Sequence, residues 1–160
     1  MLKKVQINLT SIQYDPPESI GDNEKTPEPV TVTQSLPARW RETDDEISLS
    51  YTEPDPDTKD GAQVQLYFIK SDPATLTLTR NGAQNYVLVF NEKQRCSSEY
   101  QLGSMSLELA IATRKLSNTL QENGKLHLEY IVELQGCSNG LRVIDIRLDQ
   151  PLTGIVREYR

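Results

Sequence analysis

Short runs in which apolar and polar residues alternate with a period of two dominate this sequence. Alternation of this kind is typical of half-buried β-strands, because successive side chains of a strand point to opposite faces. A further run at 86–90 is apolar on both faces. The pattern predicts about nine or ten strands, with clear runs at 5–9, 30–33, 47–51, 64–68, 76–78, 86–90, 105–111, 126–134 and 141–148.

Three Asn-Gly pairs punctuate the runs, at Asn81-Gly82, Asn123-Gly124 and Asn139-Gly140. Asn-Gly suits the two positive-φ positions of a type I′ turn, so each pair predicts a β-hairpin. Connections this short require antiparallel neighbours. The expected fold is therefore all-β, an antiparallel up-and-down meander closed into a barrel of about 8–10 strands, since closure removes the exposed edges. A two-sheet sandwich is the alternative.

Two segments depart from simple alternation. Val143 and Ile144 are adjacent apolar residues, which predicts a β-bulge at that point. Alternation from 105 to 111 favours a strand, but Leu116 and Leu120 continue a helical spacing that starts earlier in the run. A short helical turn near 116–120 therefore remains an alternative.

Length and charge set the class of protein. The chain has 160 residues, with 17 Lys and Arg against 23 Asp and Glu, a formal net charge of −6. We expect one domain over 1–150, a tail over 151–160, and two polar loops at 15–29 and 52–61. An acidic chain with scattered cations disfavours nucleic acid and anionic membrane surfaces as partners. With no apolar run long enough for a membrane helix or signal peptide, we expect a cytoplasmic protein.

Residues with catalytic or metal-binding chemistry are sparse. His127 is the single histidine, and its strand phase places it on the polar face, so we expect an exposed surface residue. Cys96 and Cys137 are expected to be free thiols. The acidic loop with Asp55 and Asp57 departs from a calcium-binding loop, since position five is a lysine and position twelve is Leu66. We therefore predict no catalytic residue, no metal site and no cofactor.

A closed barrel of this size has a lumen that is either filled by side chains or wide enough for one small ligand. Aromatic side chains that could line it are also what an ordinary core requires. For a lumen ligand we predict apolar contacts and polar anchors at Trp40, Tyr51, Phe68, Arg95 and Tyr130.

The order of four segments resembles a known family, the YwiB-like proteins, which are small uncharacterised bacterial β-barrels grouped with the calycins. The resemblance spans about residues 2–148, and it implies a calycin-like or lipocalin-like barrel in a bacterial cytosol but no activity and no functional residues. It is carried by the sequences Ile47-Ser48-Leu49-Ser50-Tyr51-Thr52-Glu53, residues 76–82 ending in Arg80-Asn81-Gly82, residues 103–113 beginning Gly103-Ser104-Met105, and Gly124-Lys125-Leu126-His127-Leu128-Glu129-Tyr130.

Three functional hypotheses follow. A non-enzymatic barrel that binds a small apolar or amphipathic ligand predicts an internal cavity of a few hundred cubic ångströms. The alternative, a protein-interaction or structural module that could form a homodimer, predicts a filled barrel with an exposed apolar patch. An enzyme using buried carboxylates predicts a carboxyl group with a strongly raised pKa. The sequence identifies neither a ligand nor a partner.

Overall fold

The structure is a computed structural model that describes residues 1–14, 28–55, 58–102 and 104–149. Residues 15–27 of the predicted proline-rich loop, and the predicted tail at 151–160, lie outside the described residues. Ten strands and one short helix follow in the order β1 (Leu2–Tyr14), β2 (Val30–Glu42), β3 (Glu46–Glu53), β4 (Ala62–Ile69), β5 (Asp72–Asn81), β6 (Asn85–Phe90), β7 (Cys96–Leu102), β8 (Met105–Thr119), α1 (Leu120–Asn123), β9 (Lys125–Leu134) and β10 (Cys137–Leu148).

Each strand pairs antiparallel with the next, and β1 also pairs with β10, which closes the sheet into a barrel. The predicted all-β antiparallel meander is therefore confirmed as a ten-stranded closed barrel. The shortest strand pairing is that of β6 with β7, which comprises two residue pairs, Asn85 with Gln101 and Tyr86 with Tyr100. None of the helices in the described residues is long and apolar enough to cross a membrane.

The turns differ from the expected type I′ geometry at all three Asn-Gly pairs. At Asn81-Gly82 the predicted hairpin joins β5 to β6, but neither residue has positive φ. Gly124 follows the short helix α1 as its left-handed C-cap, with φ of 72°. Asn139-Gly140 lies inside β10, at a register shift between Ser138 and Leu141, so a hairpin turn there is wrong. The turn between β9 and β10 is Gln135-Gly136, where both residues have positive φ, at 54° and 82°.

The predicted bulge at Val143 and Ile144 is also wrong. Both residues keep regular register with β1 and β9, and the irregularity of β10 comes earlier in the strand. The two apolar residues are adjacent because both faces of the strand are covered at this point. Val143 is buried on the outer face, and Ile144 packs against the core on the inner face.

The hydrophobic core fills much of the barrel interior. Trp40 and Phe90 have no exposed surface, and Trp40 pairs in register with Leu49 of the next strand. We call the end of the barrel at α1 the closed end, because Leu120 of α1 is buried there beside the core. The opposite end, where β3, β5 and β9 finish, is called the cavity end. Burial of each large apolar side chain contributes about 1.5–3 kcal/mol.

Candidate ligand-binding site

A cavity of about 140 Å³ lies inside the barrel at its cavity end. This volume is smaller than the predicted few hundred cubic ångströms, because core side chains occupy the rest of the lumen. It matches the roughly 150 Å³ that holds a benzene molecule in an engineered protein cavity. The cavity is lined by apolar side chains and three polar ones, namely Leu88, Leu109, Val132, Leu134, Gln84, Tyr86 and Arg142.

Strand register carries charged residues onto the inner face at this end. Arg142 pairs with Tyr130 across β9 and β10, in phase with the partly buried Ile144 and the buried Ile146 beyond it. Arg80 pairs with Tyr86 across β5 and β6 in the same way. Paired residues in antiparallel strands project to the same face, so both arginines share the interior with aromatic rings.

The charge of Arg80 is compensated by nearby carboxylates. Its guanidinium forms an ion pair with Glu53, which follows the buried Tyr51 at the end of β3. A second carboxylate, Asp55, lies 3.7 Å away and also accepts a hydrogen bond from the backbone N–H of Ala83 at 3.3 Å. Arg80 is thus a structural cation that joins the loop after β3 to the β5–β6 hairpin.

Arg142 has no such compensation. Within the described part of the chain, no carboxylate lies within ion-pair distance of its guanidinium. Its positive charge lies close enough to Tyr130, its partner in register, to oppose the rise that burial causes in the pKa of that phenol. Its Nε is fully buried and has no hydrogen-bond partner among the described residues. A buried donor without an acceptor is rare in proteins and costs about 1–3 kcal/mol.

Two tyrosines beside the arginines remain neutral phenols. Burial raises the pKa of Tyr130 to about 12, and the nearby Arg142 opposes that rise. Burial, reinforced by the Glu53 carboxylate, raises the pKa of Tyr51 further above its ordinary value. The Tyr130 ring also packs at 58° to Phe90, with centroids 4.7 Å apart. Both hydroxyls therefore keep their protons near neutral pH and can act as hydrogen-bond donors.

The five residues predicted from the sequence as ligand contacts separate into three places. Tyr51 and Tyr130 belong to the polar cluster at the cavity end. Trp40 lies in the core at the closed end, where its indole N–H donates to Glu42 at 3.2 Å. Phe68 is buried on β4, opposite Ile47 of β3 in the strand register. Arg95 lies outside the barrel in the loop after β6, with its side chain 55% exposed and paired with Glu133.

Sequence reasoning missed Arg142, Arg80 and Glu53, although each carries a recognisable signal. Arg142 continues the period-two phase of the apolar residues at 144, 146 and 148, and Arg80 continues that of Leu76 and Leu78. A charged residue in the apolar phase of a strand either lies at a strand end or marks a polar group inside the fold.

His127 forms a separate polar cluster on the outer wall. Its Nδ1 lies 2.5 Å from Asp145 and its Nε2 lies 2.7 Å from Glu129. These hydrogen bonds, that of Glu129 foremost, raise the pKa of His127. About a third of the side chain is exposed, which agrees with the predicted surface position. Throughout the described residues, no group of three or more His, Cys, Asp or Glu side chains is arranged to hold a metal ion.

Comparisons with known proteins agree with this architecture. A protein-family profile described as a domain of unknown function, DUF1934, matches residues 18–146. The crystal structure of the ywiB protein from Bacillus subtilis is similar over 93% of this chain and 96% of its own, with a TM-score of 0.60 and 16% identity. That likeness concerns the fold alone. Among curated proteins, no sequence matches the chain.

Proposed function

The chain belongs to the DUF1934 family, of which the YwiB-like resemblance was the sequence signal, and we propose that it is a non-enzymatic binding barrel for a small amphipathic molecule. The ligand enters the cavity end with its apolar part against Leu109 and Val132 and its polar part towards Arg142. On this proposal the protein uses its barrel as calycins do. Both cysteines are free thiols, which supports the reducing cytoplasm as its compartment.

The observation that carries the proposal is a cavity with two chemically different walls. Aliphatic side chains of β6, β8 and β9 form one wall, while Arg142 and Tyr86 contribute polar groups. Ligand sites typically combine an apolar lining with a few placed polar groups in this way. The polar side chains at these positions are partly exposed, so they can interact with a molecule that enters the cavity.

The size of the cavity limits the ligand. A volume of about 140 Å³ accommodates six to eight non-hydrogen atoms, so a larger ligand extends beyond it towards the barrel end. The inner face of β2 offers apolar surface there, because Val30 and Val32 are largely exposed on the same face as the buried Ala38. A short aliphatic or single-ring molecule therefore fits best.

Native mass spectrometry of gently purified protein tests this proposal, followed by thermal-shift titration with small amphipathic molecules. We expect either a bound adduct that leaves on denaturation or a concentration-dependent rise in melting temperature. Val132→Phe should abolish the effect because the ring fills the cavity, whereas Val87→Phe should not, because Val87 is exposed on the barrel's outer wall. A bare mass without any thermal shift would contradict the proposal.

A second candidate function is self-association, which rests on the exposed apolar side chains of β1 and β2. Exposed apolar side chains lie on both faces at the tip of the β1–β2 pair, where Val30 and Val32 are 62% and 44% exposed on one face and Tyr14 is 40% exposed on the other. A homodimer through this tip would cover them. Light scattering on the full chain and on Val30→Asp distinguishes the outcomes: a dimer that the aspartate dissociates supports this function, and a monomer at all concentrations excludes it.

A further inference from the structure

We propose that the ligand's polar group is a single carboxylate and that Arg142 binds it inside the barrel. This inference rests on the proposed function, and it names the chemical class that the cavity selects. It is carried by the position of Arg142, which lines the cavity and has no carboxylate within ion-pair distance among the described residues.

The two inner arginines provide an internal comparison. Arg80 lies beside Glu53 and Asp55, so its positive charge is satisfied within the fold. Arg142 lines the cavity and has a phenol, Tyr130, rather than a carboxylate opposite it in the strand register. Arg142 is partly exposed at the cavity, so of the two guanidinium groups it is the one open to a bound anion.

The geometry of arginine also favours a carboxylate. Its guanidinium presents donors in a planar fork that matches two carboxylate oxygens, and such bidentate pairs are the strongest charge-assisted hydrogen bonds. Tyr86 lines the same cavity and Tyr130 lies opposite Arg142 in the strand register, so aromatic rings lie beside the arginine. An apolar tail in the aliphatic wall then completes the ligand.

Arg142 is the inner arginine without a carboxylate at ion-pair distance in the described structure, so it can pair with one negative charge. A phosphate monoester carries close to two negative charges at neutral pH, and Glu53 already places a carboxylate in the same interior. The second charge of such a ligand would be buried without a cation, which is unfavourable. The structure therefore points to a monoanion whose tail is short enough for a cavity of about 140 Å³.

Matched pairs of an acid and its amide test the inference. Benzoate with benzamide, and hexanoate with hexanamide, have nearly equal size and differ in charge. Isothermal titration at neutral pH is carried out on the natural protein, on Arg142→Met and on Arg95→Met, which removes an exposed arginine outside the barrel. Circular dichroism confirms that each variant is folded, and Arg142→Lys serves as a second variant that keeps the charge.

In the natural protein we expect each acid to bind about tenfold to a hundredfold more tightly than its amide, the range for a hydrogen-bonded charge pair. Arg142→Met should remove this preference, Arg142→Lys should retain part of it, and Arg95→Met should leave it unchanged. Equal binding of acid and amide by the natural protein would overturn the carboxylate inference while leaving the binding barrel intact. A preference that survives Arg142→Met would overturn the role of Arg142. No binding of either compound would contradict both proposals.

Discussion

Arg80 and Arg142 occupy equivalent inner positions yet differ in what they contribute to stability. Replacing Arg80 with methionine leaves Glu53 and Asp55 without their cation, and we expect a cost of about 1–3 kcal/mol, reduced by the partial exposure of the pair. Replacing Arg142 removes an uncompensated charge, so the expected change is within about 1 kcal/mol in either direction. Urea denaturation of the two variants measures both values.

The comparison separates two roles for Arg142. A residue retained for ligand binding can be removed from the ligand-free protein at little cost, since function often requires locally unfavourable groups. If Arg142→Met destabilised the protein as much as Arg80→Met, Arg142 would instead be a structural residue whose partner lies within the fold.

His127 gives the outer wall a pH-dependent contribution to stability. Its folded pKa is raised by hydrogen bonds with Glu129 and Asp145, so its contribution is complete below the unfolded value of about 6.5 and is lost as pH rises through the folded pKa. The same contact lowers the pKa of Glu129, so the contribution also falls at acidic pH as that carboxylate is protonated.

The variant His127→Gln measures this effect. We expect the natural protein to be more stable than the variant by up to about 1 kcal/mol near pH 6, with the difference shrinking towards pH 9, as for a largely solvated pair. Lys125→Gln, an exposed position on the same strand, is the control and should give a difference that changes little over this range. A difference for His127→Gln that is constant from pH 6 to 9 would contradict the assignment.

The sequence predicted that several site residues face the barrel interior, but not where each one lies along the barrel axis. Alternation alone places Trp40, Phe68, Tyr51 and Tyr130 inside, and the structure puts the first two at the closed end and the last two at the cavity end. Height depends on strand register and tilt, which are set by pairing across the whole barrel. Arg95 follows no strand phase because it lies in a loop, so its position outside the barrel could not be predicted from alternation.

At the level of elements, the turn between β9 and β10 is the clearest test of local backbone strain. Gly136 has φ of 82°, and no described atom lies within 4 Å of an added Cβ, so Gly136→Ala should cost about 1 kcal/mol from conformation alone. Gln135 has φ of 54°, where asparagine is better tolerated, so Gln135→Asn should stabilise by a few tenths of a kcal/mol. Thermal unfolding measures both, with Gln135→Ala as a control expected to be near neutral. Destabilisation by Gln135→Asn would contradict the assigned turn.

Strand prediction failed where the sequence lacked an apolar alternation. β7 reads Cys-Ser-Ser-Glu-Tyr-Gln-Leu, and its mixture of small and polar residues gave no strand signal. Its place is fixed by full-length pairing with β8. The helical spacing near Leu116 predicted a helical turn slightly too early in the chain. Strand β8 continues to Thr119, and the short helix α1 begins at Leu120. Tertiary pairing thus decides those elements whose own propensity is weak.

For the whole molecule, the tightest apolar packing and the cluster of polar side chains lie at opposite ends of one barrel. Large apolar side chains, Trp40 and Leu120 among them, are buried at the closed end. Arg142, Arg80 and Tyr130 are gathered at the other end, where the cavity lies. A closed sheet allows this division because each strand contributes residues to both ends, and polar groups at one end leave the packing at the other unchanged.

Closure of the barrel joins strands from opposite ends of the sequence, which should leave a kinetic signature. Leu9 of β1 pairs with Ile146 of β10, whereas Leu128 of β9 pairs with Leu116 in the local β8–β9 hairpin. Both leucines are almost fully buried, so each change to alanine should cost about 2–5 kcal/mol. Because pairing between distant segments carries the larger loop-closure entropy, we expect Leu9→Ala mainly to accelerate unfolding and Leu128→Ala to slow folding more. Stopped-flow fluorescence of Trp40, the single tryptophan, measures both rates, and equal slowing of folding by the two variants would show that closure of β1 on β10 already belongs to the folding transition state.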